Sequence, residues 1–166
     1  DGMSSTRFGG ELNTTRGQIV TILWRLTGEP RATKRNPFTD VSSSQYYYDA
    51  ISWAYDAGVV DGFDARTFKP DQNVTREQLA AILYRYALIS GKDAEKTADL
   101  SGYADQGSIS DWAAQAVQWA CGSGLVTSIA QNSGMLLAPK DTTTRVQAAT
   151  LMMRALLREM LQIASG

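Results

Sequence analysis

The chain has 166 residues, of which 43% are hydrophobic and 20% charged, and its formal net charge is −1 at pH 7. This balance is typical of a globular protein, and it disfavours binding to nucleic acid or to an anionic membrane surface. The sequence contains no histidine, which excludes Ser-His and Cys-His nucleophilic sites and removes the commonest metal ligand. The single cysteine, Cys121, allows no internal disulfide. We therefore expect no metal site and no cofactor, and the absence of a long apolar run predicts no insertion into a membrane.

Helical patterns dominate the chain. Apolar residues recur at intervals of three and four positions, and glycine or proline follows most of these runs. The predicted helices cover about residues 15–27, 47–57, 75–89, 110–122 and 144–163. Few stretches alternate as a strand would, so the sequence predicts an all-α fold with no large sheet.

Three related tetrads begin the first, third and fifth predicted helices. They are Thr15-Arg16-Gly17-Gln18, Thr75-Arg76-Glu77-Gln78 and Thr144-Arg145-Val146-Gln147. A Thr followed three residues later by Gln is the pattern of a capping box, in which each side chain binds a backbone amide of the other residue. The Thr and Gln of each tetrad therefore have a local structural role.

The arginine of each tetrad has no such explanation. It occupies the first helical position, where the positive end of the helix dipole disfavours a cation. Three arginines at equivalent positions predict that an anion, a carboxylate or phosphate, meets the amides and guanidinium at the helix start. Arg76→Ala would then weaken ligand binding and leave the melting temperature nearly unchanged. The alternative is that each arginine only pairs with a nearby Asp or a carbonyl oxygen.

The tetrads belong to a longer repeat of roughly 60 residues. Aligning Asp1-Gly2 with Asp61-Gly62 places Phe8 on Phe68 and Thr15-Arg16 on Thr75-Arg76 without a gap. The helix before Asp61 has no counterpart before Asp1, so the first repeat lacks its front half. The predicted units are residues 1–30 (the back half of the first repeat), residues 37–91 (the second) and residues 99–164 (the third).

The second repeat carries a series of short motifs in a fixed order. They are Phe38-Thr39-Asp40-Val41, Ala50-Ile51-Ser52-Trp53-Ala54, Gly58-Val59-Val60-Asp61-Gly62, Phe68-Lys69-Pro70-Asp71 and Val74-Thr75-Arg76-Glu77-Gln78. Together they resemble an S-layer homology (SLH) repeat. The third repeat resembles it more loosely, and the first only in its back half.

The resemblance implies three mostly helical repeats in a pseudo-threefold arrangement. It also implies non-covalent anchoring at the Gram-positive cell surface or S-layer, by binding to secondary cell-wall polymers attached to peptidoglycan, often through pyruvylated sugars. The partner expected from it is therefore a cell-wall polysaccharide.

Residues of the binding grooves also follow from the resemblance. The family's Thr-Arg-Ala-Glu motif falls on the three tetrads, with Gln in place of Glu each time. The implied ligand contacts are Thr15, Arg16, Gln18, Thr75, Arg76, Gln78, Thr144, Arg145, Gln147, the aromatic residues Trp53 and Trp119, and the motif-opening Asp40 and Asp105. For the two tryptophans the alternative is a place in the core, and for the two aspartates a cap or turn role.

Two other functions are open at this point. A helical protein-interaction or structural module could use the same scaffold without binding polymer. An enzyme such as a carboxylate glycosidase is disfavoured, because no paired acidic residues stand out.

The truncated first repeat predicts unequal sites. If each Arg-bearing helix start faces the first helix of the next repeat, Arg16 faces the Trp53 helix and Arg76 the Trp119 helix. Arg145 would need the missing helix of the first repeat. We therefore expect the Arg145 site to bind ligand least well, and we expect self-association through the apolar surface left exposed there.

Overall fold

The computed structural model describes residues 12–164 apart from residues 93, 127 and 133, and it leaves the side chains of residues 131 and 158–164 undescribed. Within this part of the chain there are five α-helices, namely α1 (Arg16–Leu26), α2 (Tyr48–Asp56), α3 (Arg76–Ile89), α4 (Ala114–Gly122) and α5 (Arg145–Ala164). Two short 3₁₀ turns, Gln106–Ser108 and Asp111–Ala113, precede α4. The predicted helical class is confirmed. The alignment of residues 1–11 with the second repeat lies outside the described residues.

Capping boxes begin three of the helices, as predicted. The Gln18 amide N–H donates to the Thr15 hydroxyl (3.3 Å), and the Thr15 amide N–H donates to Gln18 Oε1 (3.1 Å). The same two distances recur in the Thr75–Gln78 and Thr144–Gln147 pairs. The Thr and Gln side chains of all three tetrads therefore hold their own helix starts.

A closed ring of backbone hydrogen bonds joins the three repeats at their centre. The Thr14 amide donates to the Thr143 carbonyl (2.9 Å), the Thr143 amide to the Val74 carbonyl (2.8 Å), and the Val74 amide to the Thr14 carbonyl (2.9 Å). All three residues are fully buried. Each immediately precedes a capping Thr, so the capped helices radiate from a pseudo-threefold axis.

The first turns of α1 and α3 are closed by backbone carbonyls of the following repeat. The Arg16 and Gly17 amides donate to Gln72 and Pro70 (2.9 and 2.8 Å). In the same way the Arg76 and Glu77 amides donate to Asp141 and Pro139 (2.9 and 3.0 Å). The anion hypothesis invoked unpaired amides at these helix starts. That part of the hypothesis is wrong for α1 and α3, because these amides already donate to carbonyl oxygens of the following repeat. Periodicity within one helix does not reveal such tertiary contacts.

Helices pack in pairs across the repeat boundaries, α1 against α2 and α3 against α4. Gly17 permits the close approach in the first pair, since a Cβ there would lie 3.0 Å from Tyr47 Cδ1 and 3.2 Å from the Pro70 carbonyl oxygen. This pairing follows the predicted order of neighbouring repeats. The helices enclose one apolar core that includes Ile51, Phe68 and Leu79.

The long loops between α2 and α3 and between α4 and α5 are each tied down by one buried residue. Phe68 is fully buried, and Leu137 is 2% exposed in the third repeat. The following residues, Lys69 and Ala138, adopt left-handed backbone angles (φ 56° and 49°) that side-chain-bearing residues seldom adopt. The loops therefore need an additional restraint, which two aspartates supply in the site described below.

The loop of the third repeat contains a short hairpin that the sequence interpretation missed. Strands β1 (Ile129–Gln131) and β2 (Gly134–Leu136) pair antiparallel, with Ile129 opposite Leu136. The Ala104 amide donates to the Met135 carbonyl (3.2 Å), which fastens β2 to the start of the repeat. Asn132 and Gly134 are turn formers that could have signalled it, and Gly134 has a φ of 117°.

Candidate ligand-binding groove

One groove draws on all three repeats and encloses about 400 Å³. We call it the Arg16–Trp112 groove. Its walls are the start of α1, the loop of the second repeat, one face of α3 and the 3₁₀ turn before α4. The lining residues are Arg16, Val60, Asp61, Gly62, Phe63, Gln78, Ala81, Ile82, Arg85 and Trp112. The structure thus brings two predicted contacts, Arg16 and Gln78, into one concave surface.

Arg16 is held against the loop of the second repeat. Its Nε donates to the Phe68 carbonyl oxygen (2.8 Å), Nη2 donates to the Asp61 carbonyl oxygen (3.3 Å), and the guanidinium carbon lies 4.4 Å from the centroid of the Phe68 ring. Burial lowers the pKa of Arg16, while Asp40 and Asp61 act to raise it. An arginine stays charged under these conditions. Arg16 therefore presents a fixed, partly desolvated cation to the groove.

Arg85 adds a second guanidinium on the rim. Its Nη1 lies 2.7 Å from Asp61 Oδ2, and the two side chains are 39% and 75% exposed. The sequence interpretation missed Arg85, although a signal was present. Each tetrad arginine is followed nine residues later by another arginine, namely Arg25, Arg85 and Arg154. Each unit thus carries a pair of arginines nine residues apart.

Two exposed aromatic rings flank these cations. Trp112 is 59% exposed and Phe63 is 56% exposed, and Lys69 Nζ lies 3.3 Å from the Phe63 ring centroid. The resemblance implied Trp53 and Trp119 as the aromatic ligand contacts, but these two residues are only 8% and 5% exposed. Those two rings belong to the core, as their alternative interpretation held, and they offer little surface to a ligand.

Asp40 and Asp105 hold the loops in place. The Asp40 carboxylate accepts hydrogen bonds from the Phe68 amide (2.9 and 3.2 Å) and from the Lys69 amide (2.7 Å). Asp105 accepts equivalent bonds from Leu137 and Ala138 (2.9 and 2.7 Å). Each carboxylate thereby restrains a residue with a left-handed backbone. The structure gives both aspartates the turn role that was the alternative to ligand contact.

Arg76 repeats the arrangement of Arg16 one repeat later. Its Nε donates to the Leu137 carbonyl oxygen (2.8 Å). Burial lowers its pKa, opposed by the charges of Asp141, Cys121 and Asp105. The counterparts of Gln78 and Arg85 here are Gln147 and Arg154 on α5, and both are exposed.

Arg145, the third tetrad arginine, is exposed, and an aromatic residue lies near it. Tyr46 corresponds to Trp112 and is 56% exposed. Partial burial and Asp71 raise the pKa of Tyr46, whereas the charges of Arg145 and Arg25 act to lower it. Tyr46, Arg145 and Arg25 thus repeat the set Trp112, Arg16 and Arg85. The expectation that the Arg145 site depends on the missing helix for its aromatic is corrected, because Tyr46 comes from the second repeat.

The described residues contain no group of three or more Cys, Asp and Glu side chains arranged to hold a metal ion. None of the described helices is both long and apolar enough to cross a membrane.

A family model described as S-layer homology domain matches residues 37–80. The chain belongs to the S-layer homology domain family. SLH domains bind the cell wall, and this places the chain at the cell surface, in the S-layer or cell wall. The matched region is an anchoring module.

Similar proteins share this SLH region over most of its length. The amylopullulanase of Thermoanaerobacterium thermosulfurigenes is 32% identical over 91% of the chain, and the endoglucanase of Bacillus sp. (strain KSM-635) is 33% identical over 89%. The surface-layer 125 kDa protein of Lysinibacillus sphaericus is 29% identical over 72%. The chain spans 8%, 15% and 10% of the lengths of these three proteins, so most of each relative lies outside the match.

A solved structure shares the fold. The undecaheme cytochrome from the S-layer of Carboxydothermus ferrireducens superposes with a TM-score of 0.55 over 88% of this SLH chain and 17% of its own, at 18% sequence identity.

Proposed function

We propose that this SLH chain anchors a larger surface protein by binding an anionic secondary cell-wall polymer attached to peptidoglycan, with a pyruvylated glycan as the favoured ligand. Residues 1–30, 37–91 and 99–164 act together as one anchoring unit. The observation that carries the proposal is that Arg16, Arg85 and the exposed Trp112 meet in a single groove.

The groove has the chemistry that an acidic sugar requires. A pyruvyl ketal carries a carboxylate, and a guanidinium fork pairs with a carboxylate through two charge-assisted hydrogen bonds. Trp112 and Phe63 present apolar faces against which a sugar ring can pack. Gln at the fourth tetrad position is neutral where the family has Glu, so it adds no negative charge beside the bound anion. The net charge of Arg16, Arg85 and Asp61 is then positive.

The three sites differ in which of these groups they contain: the second arginine, the loop and the exposed aromatic ring. This supports unequal affinities of the three sites for the polymer. The Arg16 site has its second arginine, its loop and Trp112. The Arg145 site has Arg25 and Tyr46, and its loop lies among residues outside the description. The Arg76 site has Arg154, and no aromatic residue of the described part of the chain corresponds there to Trp112. We therefore expect the Arg16 site to contribute most to binding and the Arg76 site to contribute less.

The proposal is tested by measuring how tightly the wild type and the Trp112→Ala variant bind to purified cell-wall sacculi. The Trp112 ring is 59% exposed, so the substitution should leave the fold intact and weaken binding by about tenfold, as expected for a truncated aromatic anchor. Leu88→Ala is the matched control, since Leu88 is 51% exposed and lies outside the groove. Sacculi stripped of the attached polymer should retain little protein.

Equal binding to intact and stripped sacculi would reject polymer recognition and favour the alternative, a module that binds a surface protein. Release of reducing ends from wall polysaccharide by the purified chain would instead show an enzyme.

The exposed face of α5 supports a second partner, another copy of the chain. Val146, Met153 and Leu157 on this face are 59%, 56% and 50% exposed. The counterparts of Val146 and Met153 on α3 are Glu77, which is buried, and Tyr84, whose ring lies 5.5 Å from that of Trp119 on α4. We expect the isolated chain to self-associate through this face, and Met153→Glu to return it to a monomer in light scattering. A strictly monomeric wild type would contradict this.

A further inference from the structure

A second cavity, of about 780 Å³, lies between α1, α2 and the linker of residues 29–35. We call it the linker cavity. It shares no lining residue with the Arg16–Trp112 groove. Trp24 and Tyr48 form half-buried aromatic walls, and Arg31, Lys34 and Arg35 contribute three cationic side chains from the linker.

A side chain at the end of α2 ties the linker to this helix. The Asp56 carboxylate accepts hydrogen bonds from the Thr33 amide (2.6 Å) and hydroxyl (2.7 Å). The Trp24 indole N–H donates to the Pro30 carbonyl (2.9 Å), which fixes the other end. Hydrogen bonds from Thr33 lower the pKa of Asp56, so this tether stays charged at neutral pH.

The second linker, residues 92–99, runs differently past α4 from the way the first linker runs past α2. Gly122 stands where Asp56 would be, and a Cβ on Gly122 would lie 2.7 Å from the Thr97 carbonyl carbon. The Ala98 amide donates directly to the Gln118 carbonyl (3.1 Å). The linker backbone therefore bonds directly to the α4 backbone in the third repeat, whereas in the second repeat the linker bonds to α2 through the Asp56 side chain. The open cavity is a feature of the first linker's own residues.

The charge of the two linkers also differs. Residues 29–35 carry Arg31, Lys34 and Arg35 against Glu29, and residues 92–99 carry Lys92 and Lys96 against Asp93, Glu95 and Asp99. The first linker is thus net positive and the second net negative, although the whole chain has a net charge of −1. Asp49 is a further carboxylate in the lining of the linker cavity, which leaves the lining with one excess positive charge.

We propose that the linker cavity is a second carbohydrate site, which binds a sugar bearing a carboxylate or phosphate. The sugar ring packs against Trp24 and Tyr48, and its anionic group pairs with Arg31 and Arg35. Half-buried aromatic walls supply the apolar contact, and paired guanidinium groups supply charge-assisted hydrogen bonds. The inference extends the proposed polymer binding, because a polymer could engage this site and the Arg16–Trp112 groove at once and gain avidity.

The test uses the whole chain and soluble probes. A tetramer of galacturonic acid and glucose 6-phosphate represent the carboxylate and phosphate sources, and maltotetraose is the neutral control. Binding is followed by NMR through the indole N–H resonances, with the Trp24 signal assigned by Trp24→Phe. We expect an acidic probe, but not maltotetraose, to shift the Trp24 resonance. Arg31→Ala with Arg35→Ala should weaken this response by about tenfold. Arg66→Ala, a distant exposed arginine, should not.

Each site has its own readout, so the two proposals can fail separately. An acidic probe that shifts only the Trp112 resonance would overturn the linker site and leave the groove standing. A Trp24 shift that survives Trp112→Ala would support the linker site whatever the groove does. An equal Trp24 response to maltotetraose, or an unchanged affinity in the double variant, would overturn the anionic specificity.

Discussion

Arg16 is bound to Phe68 in two ways: its Nε donates to the Phe68 carbonyl oxygen at 2.8 Å, and its guanidinium carbon lies 4.4 Å from the Phe68 ring centroid. The contact joins the first turn of α1 to the loop of the next repeat. Carbonyl and ring both stabilise a cation, which offsets the unfavourable helix dipole at this position. Arg16 therefore connects two repeats as well as presenting positive charge, and Arg76 donates to Leu137 of the next repeat in the same way.

Arg16→Ala and Arg76→Ala should each reduce stability, contrary to the expectation that Arg76 matters only for ligand. Each substitution removes a charge-assisted hydrogen bond from Nε, to Phe68 or to Leu137, and should lower the free energy of unfolding by about 1.5–3 kcal/mol. Urea denaturation measures this change. Arg66→Ala is the control and should change little. A melting temperature unchanged by either substitution would restore the purely ligand-binding role.

Gly17→Ala should destabilise the first inter-repeat contact. A Cβ at Gly17 would lie 3.0 Å from Tyr47 Cδ1 and 3.2 Å from the backbone oxygen of Pro70, so the Tyr47 ring and the loop backbone at Pro70 must shift to make room. Overpacking of this kind costs about 1–3 kcal/mol. Gly102→Ala is the matched control, because nothing lies within 4 Å of a Cβ there. Thermal denaturation of both variants compares the two positions, and equal effects would contradict the packing argument.

Glu77 is a buried carboxylate that joins α3 to the third repeat. It accepts hydrogen bonds from the Ser110 amide and hydroxyl (both 2.9 Å) and from Lys140 Nζ (2.6 Å). Lys140→Met should cost about 1–3 kcal/mol, because it leaves a carboxylate only 4% exposed without its cation.

A double-mutant cycle with Glu77→Gln measures the coupling of this pair. We expect about 1 kcal/mol or more of interaction energy, since the two side chains are in direct contact. The double variant should be more stable than the sum of the single losses predicts. Strict additivity would show that the ion pair contributes nothing.

The lowered pKa of Lys92 predicts that the free energy of unfolding rises at alkaline pH. Burial lowers its pKa from 10.5 to about 8, and its Nζ lies 4.2 Å from the Tyr86 ring centroid. Between the two pKa values the unfolded chain binds more protons than the folded one, so the contribution of Lys92 to the free energy of unfolding increases as the pH rises. Relative to Lys92→Met, the wild type should gain stability as the pH rises from about 8 to about 10.5.

The matched control is Lys34→Met. It removes an exposed lysine, and its stability should depend on pH as that of the wild type does. A constant difference between wild type and Lys92→Met across this range would contradict the lowered pKa.

Local patterns determined the features that depend on near neighbours in the chain. The five helices follow from apolar spacing, and the capping boxes follow from Thr and Gln three residues apart, because both are formed by residues within one or two turns. The order of the repeats was also recognisable from the motif series. Even Arg85 could have been found, since an arginine recurs nine residues after each tetrad arginine.

Only the tertiary structure decided which groups meet. Thr14, Val74 and Thr143 close a hydrogen-bonded ring although they are about 60 residues apart. The side chains of Arg16 and Arg76 bind carbonyl oxygens of the next repeat. Two buried tryptophans lie in the core, while Trp112 reaches the groove from a third repeat. Contacts across three repeats depend on how the chain closes around its axis, and periodicity within one helix carries no information about that closure.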